Sequence, residues 1–476
     1  MEKALQKDSA QAVLLISAVI MLVLLIDVVV PVYPNDLWPY MRIGQEIVRT
    51  HAIPTTEFMT YTQYGQPAQY LYWLPSLIFL GVYNLGGITL ISVMSAACLG
   101  LYYFLLWRSL KHWGAGKAAS TVALLLSIIT TLSAWSVKPQ LLVLPLFGLA
   151  LLVLSRWQQS DNRLLWCLPL ISFLWVNLHG SFIILFLLAI PAVLFGKGDK
   201  KKLLLFTSVA LLATLLNYYG PGVWKSMFSM VNSQSIRQYS IEWQPPVNSG
   251  WRMNIFFLTL LAIPVLASFS KAKAALLLWV WYFGFGFMAL TSVRYNLWFA
   301  AVEMTILALL LDPIISPAAK RLHVFQNRKL NIALSVVLLL LPVAFLPGVR
   351  SLWWQNALPT YQETTPVQAV EWLKEHPQLK GQMWSSFDFA TYLNYALPER
   401  PQFMSNRFED FPPSQHEENT QIETAAAGWE IVLDKYDVNL VMVYQSGDPD
   451  LAAALENSSQ WQELYRDDAA AIFAHK

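Results

Sequence analysis

Charged residues and cysteines are both scarce in this chain of 476 residues. Only 13% of the residues are charged, against roughly 25% in soluble domains. The net charge is +2 and no basic tract with interleaved aromatic residues occurs, which argues against nucleic-acid binding. With two cysteines and no Cys-x-x-Cys, His-Glu-x-x-His or Gly-rich phosphate loop, the sequence also offers none of these common metal, redox or nucleotide motifs.

Apolar residues take the place of the missing charge. Hydrophobic residues make up 56% of the chain, which includes 20 tryptophans, and the mean hydropathy is +0.43. Many apolar runs are long enough to match the thickness of a bilayer. We therefore predict an all-α polytopic membrane bundle of about eleven transmembrane helices, at 12–32, 88–107, 118–136, 139–155, 164–179, 181–196, 203–218, 255–270, 274–292, 295–311 and 331–347.

The distribution of lysine and arginine orients these spans. Basic residues concentrate in the connections on one side, as in Lys200-Lys201-Lys202, and such connections are typically cytoplasmic. This places the N-terminus in the cytoplasm. The apolar stretch 71–87 ends in Gly86-Gly87, and counting it as a full span would invert every later connection. We therefore predict a re-entrant or interfacial helix there.

Composition also divides the chain into two predicted domains. Residues 1–347 form the transmembrane domain, with external loops at 33–87 and 219–254. Residues 348–476 have a soluble composition and are predicted to form a small extracytoplasmic α/β domain. A helix is expected at 366–376 and strands at Val438 to Tyr444 and Ala470 to Ala474.

A carboxylate stands where the chain leaves the first span. Asp36 begins a predicted amphipathic helix that is apolar at Leu37, Tyr40, Met41, Ile47 and Val48 and polar at Arg42, Gln45, Glu46 and Arg49. Such a helix is expected to lie flat on the membrane surface. Asp36 can act as its N-cap, face a functional site, or do both.

Four polar turns fall on the same predicted side as Asp36, at Lys138-Pro139-Gln140, Asn177-Leu178-His179-Gly180, Asn217-Tyr218-Tyr219-Gly220 and Arg294-Tyr295-Asn296. A cavity bordered by Lys138, His179 and Arg294 would suit a phosphate or pyrophosphate, whose oxygens need charge-assisted donors. Asp36, with Glu242 of the long loop as its partner, would supply the carboxylate that a glycosyl transfer requires. Asp27, in the outer part of the first span, is expected instead to pair with a neighbouring helix.

The order of these features resembles the C-type (GT-C) integral-membrane glycosyltransferases, which have an Asp after the first span, a long external loop, many further spans and an external C-terminal domain. Short motifs carry the resemblance to largely uncharacterised bacterial members along nearly the whole chain, among them Asn35-Asp36-Leu37-Trp38, Ile53-Pro54-Thr55-Thr56, Lys138-Pro139-Gln140, Glu242-Trp243-Gln244 and Ser405-Asn406-Arg407-Phe408. Many members carry a second acid beside the first, whereas here Asn35 precedes Asp36.

The resemblance implies a bacterial inner-membrane enzyme that moves a sugar from a polyprenyl-phosphate-linked donor to an envelope glycan, lipid or protein at the external face. Asp36 and Glu242 are the catalytic candidates, and the substrate-binding candidates are Arg42, Lys138, Gln140, Asn177, His179 and Arg294. No metal ligands or cofactor are indicated, and a divalent metal requirement stays open. The expected partners are the lipid-linked donor, membrane lipids and other proteins of envelope-glycan assembly.

Two other functions remain open. A carrier for a lipid-linked glycan would need the same membrane architecture, although no inverted repeat or broken-helix pattern is visible in the sequence. A non-catalytic partner of an envelope polysaccharide system would use the C-terminal domain to recruit other proteins.

Overall fold

The structure is a computed structural model that describes residues 2–32, 36–321, 327–354, 359–362 and 364–476. Helices dominate the chain as far as residue 350. They are α1 (Glu2–Val29), α2 (Leu37–Thr50), α3 (Trp73–Trp113), α4 (Lys117–Thr131), α5 (Pro139–Gln158), α6 (Cys167–Leu178), α7 (Ile183–Phe195), α8 (Lys200–Ala213), α9 (Gly222–Asn232), α10 (Gln234–Tyr239), α11 (Gly250–Phe269), α12 (Leu276–Thr291), α13 (Asn296–Arg321), α14 (Arg328–Leu340) and α15 (Pro347–Arg350).

Every one of the eleven predicted spans coincides with one of these helices. Within the described residues, six helices are long and apolar enough to cross a membrane: α1, α3, α5, α11, α13, and α14 with the 3-10 turn that follows it. The chain is therefore an integral membrane protein. The helices at the other five positions, α4, α6, α7, α8 and α12, have 12 to 16 residues, so the count of eleven crossings stays a prediction.

Aromatic side chains pack together in the interior of the helical bundle. The Trp298 ring lies 4.9 Å from Phe147 and 5.8 Å from Trp175, centroid to centroid, and all three side chains are fully buried. On the outside, α11 and α12 expose large apolar side chains such as Leu261 and Phe287. This arrangement of a packed aromatic core and an apolar outer surface is what a bundle in lipid requires.

The predicted helix at 71–87 is separated from the following span by a break within α3. Gly86 and Gly87 leave helical geometry, and Gly87 has a φ of 58° with a ψ of −153°, which glycine tolerates far better than other residues. The structure thus supports a distinct helical segment before the break. Its re-entrant or interfacial position stays a prediction.

Helix α2 lies between α3 and the C-terminal part of the chain. Leu37 and Met41 are fully buried, as the apolar spacing predicts, and Val48 is exposed. Trp38 is also buried, and its ring packs edge-on against Tyr392 at 4.8 Å. The apolar side of α2 therefore packs against protein on two sides, which fixes the position of the residue that precedes it.

A four-stranded mixed sheet forms the centre of the C-terminal region. Its strands are β1 (Gln382–Ser385), β2 (Val438–Tyr444), β3 (Trp461–Arg466) and β4 (Ala470–His475), in the order β1-β2-β4-β3, with only the β1–β2 pair parallel. The surrounding helices are α16 (Val367–Glu375), α17 (Phe387–Ala396), α18 (Pro413–Glu423), α19 (Trp429–Lys435) and α20 (Pro449–Asn457). The predicted helix at 366–376 and both predicted strands are confirmed, while the boundary at 347/348 stays a prediction.

Candidate active site

A cavity of about 360 Å³ lies where the start of α2 meets the polar ends of several helices and a segment of the C-terminal region. The helical bundle contributes the segment before α5, the turn after α6, the loop between α8 and α11, and the turn before α13. Six of the eight predicted site residues line the cavity: Asp36, Lys138, Gln140, His179, Glu242 and Arg294. Polar turns that are far apart in the sequence therefore meet in one place.

Asp36 faces this cavity and does not cap α2. Its side chain accepts no hydrogen bond from the first turn of the helix, so the N-cap interpretation is wrong. Instead, Asn406 Nδ2 donates a hydrogen bond of 2.6 Å to Asp36 Oδ1. The position of the carboxylate therefore depends on the C-terminal region. Asn35, the other polar residue of the predicted motif, lies outside the described residues.

Lys138 and Glu242 form an ion pair at the cavity wall. The Lys138 side chain is nearly buried, whereas that of Glu242 is about half exposed. Ser292 Oγ donates 2.8 Å to the backbone oxygen of Glu242, which ties the long loop to the end of α12. The Arg294 guanidinium lies 4.5 Å from the Trp243 ring centroid, in a cation–π arrangement. The ionic partner of Glu242 is thus Lys138, and its role as a second catalytic acid beside Asp36 stays a prediction.

The electrostatic surroundings shift the pKa values of the two predicted catalytic acids in opposite directions. Burial raises the pKa of Asp36 above its usual range, and Glu242 adds to this, although Lys138 and Arg294 oppose it. For Glu242 desolvation also acts upward, but Lys138 and Arg294 outweigh it and hold the pKa below its ordinary value. Asp36 is therefore the better proton acceptor, and Glu242 is a fixed negative charge.

His179 is oriented by its neighbour Ser181. The Ser181 backbone N–H donates 3.1 Å to His179 Nδ1, so the proton of the neutral imidazole lies on Nε2. Ser181 Oγ also lies 2.7 Å from Nδ1 and accepts a 3.0 Å hydrogen bond from Trp175 Nε1. The sequence Asn177-Leu178-His179-Gly180-Ser181 thus builds a donor at the cavity edge.

Two predicted binding residues do not line the cavity. Arg42 bonds to Glu46, four residues along α2, at 3.3 Å, and lies 4.8 Å from the Phe58 ring centroid. Asn177 is buried, and its Oδ1 accepts hydrogen bonds from Trp73 Nε1 at 3.1 Å and Asn217 Nδ2 at 3.3 Å. Both side chains hold elements together, because helical spacing and burial supply them with partners inside the protein.

The sequence prediction did not include the cavity residues from the C-terminal region, of which three are polar: Asn406, Arg407 and Glu409. Arg407 Nη2 donates 3.0 Å to the backbone oxygen of Gln69, and its guanidinium lies 4.3 Å from the Tyr70 ring centroid. Glu409 also lines the cavity. The signal was the motif Ser405-Asn406-Arg407-Phe408, which carried the resemblance without being assigned a role.

Glu409 is a second acid among the residues that line this cavity. Desolvation raises the pKa of Glu409, and the charge of Asp410 raises it further, against the opposing effect of Arg407. The charge of Asp36 makes the smallest contribution and also raises the pKa of Glu409.

Solved structures resemble this architecture, although no family model and no curated protein sequence matches the chain. The oligosaccharyltransferase AglB from Archaeoglobus fulgidus, in complex with an inhibitory peptide and a dolichol-phosphate, is similar with a TM-score of 0.58 and 15% identity, over 98% of this chain and 74% of that one. The chain has the GT-C fold. The predicted resemblance is thus confirmed at the level of the fold.

Two further structures extend the GT-C likeness. The arabinofuranosyltransferase AftD from Mycobacteria matches with a TM-score of 0.59 and 16% identity, over 97% of this chain and 40% of AftD. ArnT from Cupriavidus metallidurans in the apo state matches with a TM-score of 0.51 and 13% identity, over 97% of each chain. The GT-C architecture therefore extends across the membrane helices and the C-terminal region together.

Proposed function

We propose that the chain is a membrane glycosyltransferase that moves a sugar from a polyprenyl-phosphate-linked donor to an acceptor at the extracytoplasmic face. The observation that carries the proposal is the position of Asp36, whose carboxylate lines one cavity with Lys138, His179 and Arg294. An acid that can accept a proton and cations that can bind a phosphate are the groups such a transfer needs. The AglB structure, which contains a dolichol-phosphate, adds support from a protein of the same fold.

The proposed reaction is a substitution at the anomeric carbon of the donor sugar. The acceptor hydroxyl oxygen forms a bond to this carbon, and its proton passes to the carboxylate of Asp36. The bond between the anomeric carbon and the phosphate oxygen breaks, and the electron pair stays on the phosphate. Lys138 and Arg294 stabilise the resulting negative charge, and His179 donates a hydrogen bond through Nε2. The raised pKa of Asp36 strengthens it as a base.

The C-terminal residues belong to the proposed site as well. Asn406 positions Asp36 through its 2.6 Å hydrogen bond. Glu409 lines the same cavity, and we propose that it holds a hydroxyl of the acceptor. Glu242 and Gln140 complete the wall, Glu242 by fixing the ammonium group of Lys138. Arg42 and Asn177 are assigned structural roles, because their partners lie within the protein.

The proposal includes a location for the chain. Placing the N-terminus in the cytoplasm of a bacterium puts Asp36, the loop at 219–254 and the C-terminal domain on the extracytoplasmic side of the inner membrane. Lipid carriers then reach the cavity from the outer leaflet, and the acceptor is an envelope glycan, lipid or protein.

Substitution of the proposed base tests this function. Asp36→Asn keeps the side-chain shape but cannot take up the acceptor proton, so we expect transfer to fall by roughly 10²- to 10⁴-fold. The measurement is incorporation of radiolabelled sugar from a lipid-linked donor pool in membranes that contain the purified protein. Asp434→Asn, on the exposed surface of α19, is the control and should leave transfer unchanged. Wild-type transfer by Asp36→Asn would reject the assignment.

A further inference from the structure

A second cavity, of about 500 Å³, lies beside the candidate active site. The end of α1, the kinked helix α3, the segment before α5 and the first part of the C-terminal region surround it. Ser136 and Glu242 line both cavities, so the Glu242 side chain stands between them. Its volume lies in the range of roughly 300–1,000 Å³ that is typical of small-molecule sites. The function proposed above does not use this space.

Two buried oxygens in the wall of this second cavity have no hydrogen-bond donor among the described residues. Asp27 Oδ1 accepts 2.9 Å from Ser95 Oγ, as the predicted pairing with a neighbouring helix requires, but Oδ2 is buried and bonds to none of the described residues. Gln362 Oε1 is likewise buried without a partner in the described part of the chain. Buried polar atoms in native structures are nearly always satisfied, so these oxygens call for a donor that the described residues do not supply.

The charges around the cavity also favour a ligand that donates hydrogen bonds. Asp388 exposes its carboxylate to this space from the start of α17, and Arg252 is the one cation among the cavity residues that the structure describes. The charge of Glu242 is balanced by Lys138 on the other side of the wall. A phosphate or another anion would meet Asp27 and Asp388 unfavourably, whereas hydroxyl or ammonium groups would supply the missing donors.

We propose that this second cavity binds a sugar unit rich in hydrogen-bond donors, either a neutral polyhydroxyl unit or one that carries an amine. Asp27, Gln362 and Asp388 accept its hydrogen bonds, and Trp135 offers an apolar ring at the cavity wall. The further assignment of this unit as part of the acceptor rests on the proposed function. Because Glu242 lies between the cavities, a unit bound here would place its neighbour in the glycan close to Asp36.

Equilibrium dialysis of the full-length protein in detergent tests the proposal. The probes are radiolabelled methyl α-glucoside, its 2-amino-2-deoxy analogue and inorganic phosphate. We expect at least one glycoside to bind, and Asp388→Asn to weaken that binding roughly tenfold or more, because a charge-assisted acceptor is lost. Thr364→Trp should weaken it by filling the cavity from a turn at its edge. The surface changes Asp434→Asn and Thr424→Trp are the matched controls.

The binding experiment can fail or succeed independently of the transfer experiment. Asp36→Asn is expected to bind the glycoside as the wild type does, so a failure of transfer chemistry leaves the binding result intact. Preference for the amine analogue would identify an amino sugar, and equal binding would identify a neutral unit. Absence of glycoside binding to the wild type, full binding by both Asp388→Asn and Thr364→Trp, or phosphate binding that Thr364→Trp removes would overturn the proposal.

Discussion

Asn406 acts on Asp36 from a position 370 residues away in the chain, through a 2.6 Å hydrogen bond to Oδ1. A donor of this kind favours the ionised form of a carboxylate, whereas burial favours the neutral form. Burial has the larger effect here and leaves the pKa of Asp36 raised. The hydrogen bond from the Asn406 amide should oppose the effect of burial and favour the ionised form of the proposed base.

Removal of that amide should change the pH dependence of transfer. In Asn406→Ala the pKa of Asp36 rises further, so activity is lost at a higher pH as the medium is acidified. Loss of a hydrogen bond of ordinary strength should move the acidic limb of the pH–rate profile upward by about half to one pH unit. Initial rates of transfer between pH 4 and pH 8 measure it. Asn457→Ala, on the exposed end of α20, is the control, and an unmoved acidic limb in Asn406→Ala would contradict the expectation.

At the scale of elements, the close approach of α2 to α3 determines where Asp36 stands. A Cβ atom at Gly44 would lie 2.4 Å from the backbone oxygen of Ser76 and 3.2 Å from Leu80 Cβ. No side chain fits there without a shift of one helix. Because Asp36 immediately precedes α2, such a shift would also move the carboxylate relative to Lys138 and Asn406.

Gly44→Ala should therefore lower both stability and transfer. Overpacking of this kind typically costs about 1–3 kcal/mol, and we expect a loss of that size in the free energy of unfolding. Thermal unfolding in detergent is the measurement, together with the transfer rate of the folded fraction. Gly81→Ala, in α3 with open space around its Cβ, is the matched control and should be neutral or slightly stabilising. Equal stability of the two variants would show that the helices are not in tight contact.

Much of the element structure follows from local pattern, and the exceptions have physical reasons. Apolar runs predicted helices at eleven positions, alternation predicted β2, and a further strand was expected where β4 lies. Strand β1 has only four residues, too few to show a period, and β3 is an edge strand that carries Glu463 and Arg466 among its apolar residues. Pairing decided both strands: β1 pairs with the distant β2, and β3 forms a hairpin with β4.

The site was predictable to the extent that its residues end membrane spans. Lys138, His179 and Arg294 were identified because a polar turn beside an apolar run is visible in the sequence. Glu409 was not identified, because an acid in a soluble domain is ordinary in the sequence, and only the fold brings it to the same cavity as Asp36. Arg42 was expected to bind substrate, yet Glu46 lies one helical turn away and pairs with it.

At the scale of the whole molecule, the C-terminal region contains a group of acids with an unusual pH response. Burial raises the pKa of Glu423 to about 7, Asp448 and Asp388 add to the effect, and a hydrogen bond from Asn419 opposes it. The folded state thus binds this proton more tightly than the unfolded state, whose pKa is near 4.5. The stability that this provides is full below the unfolded value and is lost as the pH rises through about 7.

Glu423→Gln should remove this dependence. The variant keeps an oxygen that can accept the hydrogen bond of Asn419, and it carries no charge at any pH. At pH 8 we expect the variant to be more stable than the wild type, by at most roughly 3 kcal/mol in the free energy of unfolding, and therefore to unfold at a higher temperature. The difference should vanish towards pH 5. Thermal unfolding in detergent at both pH values is the measurement. Glu417→Gln, exposed on the same helix, is the control, and a pH-independent difference between Glu423→Gln and the wild type would refute the account.

The hydrogen bond between Asn406 and Asp36 joins two residues that are synthesised at very different times. A ribosome makes Asp36 before helices α2 to α15 and makes Asn406 after them, so a nascent chain carries the proposed base long before the group that orients it. Under the proposed function, the site is therefore complete only once the C-terminal region has folded. A polypeptide that ended before residue 406 would lack Asn406 and Glu409 together, and under the proposed function it would not consume lipid-linked sugar.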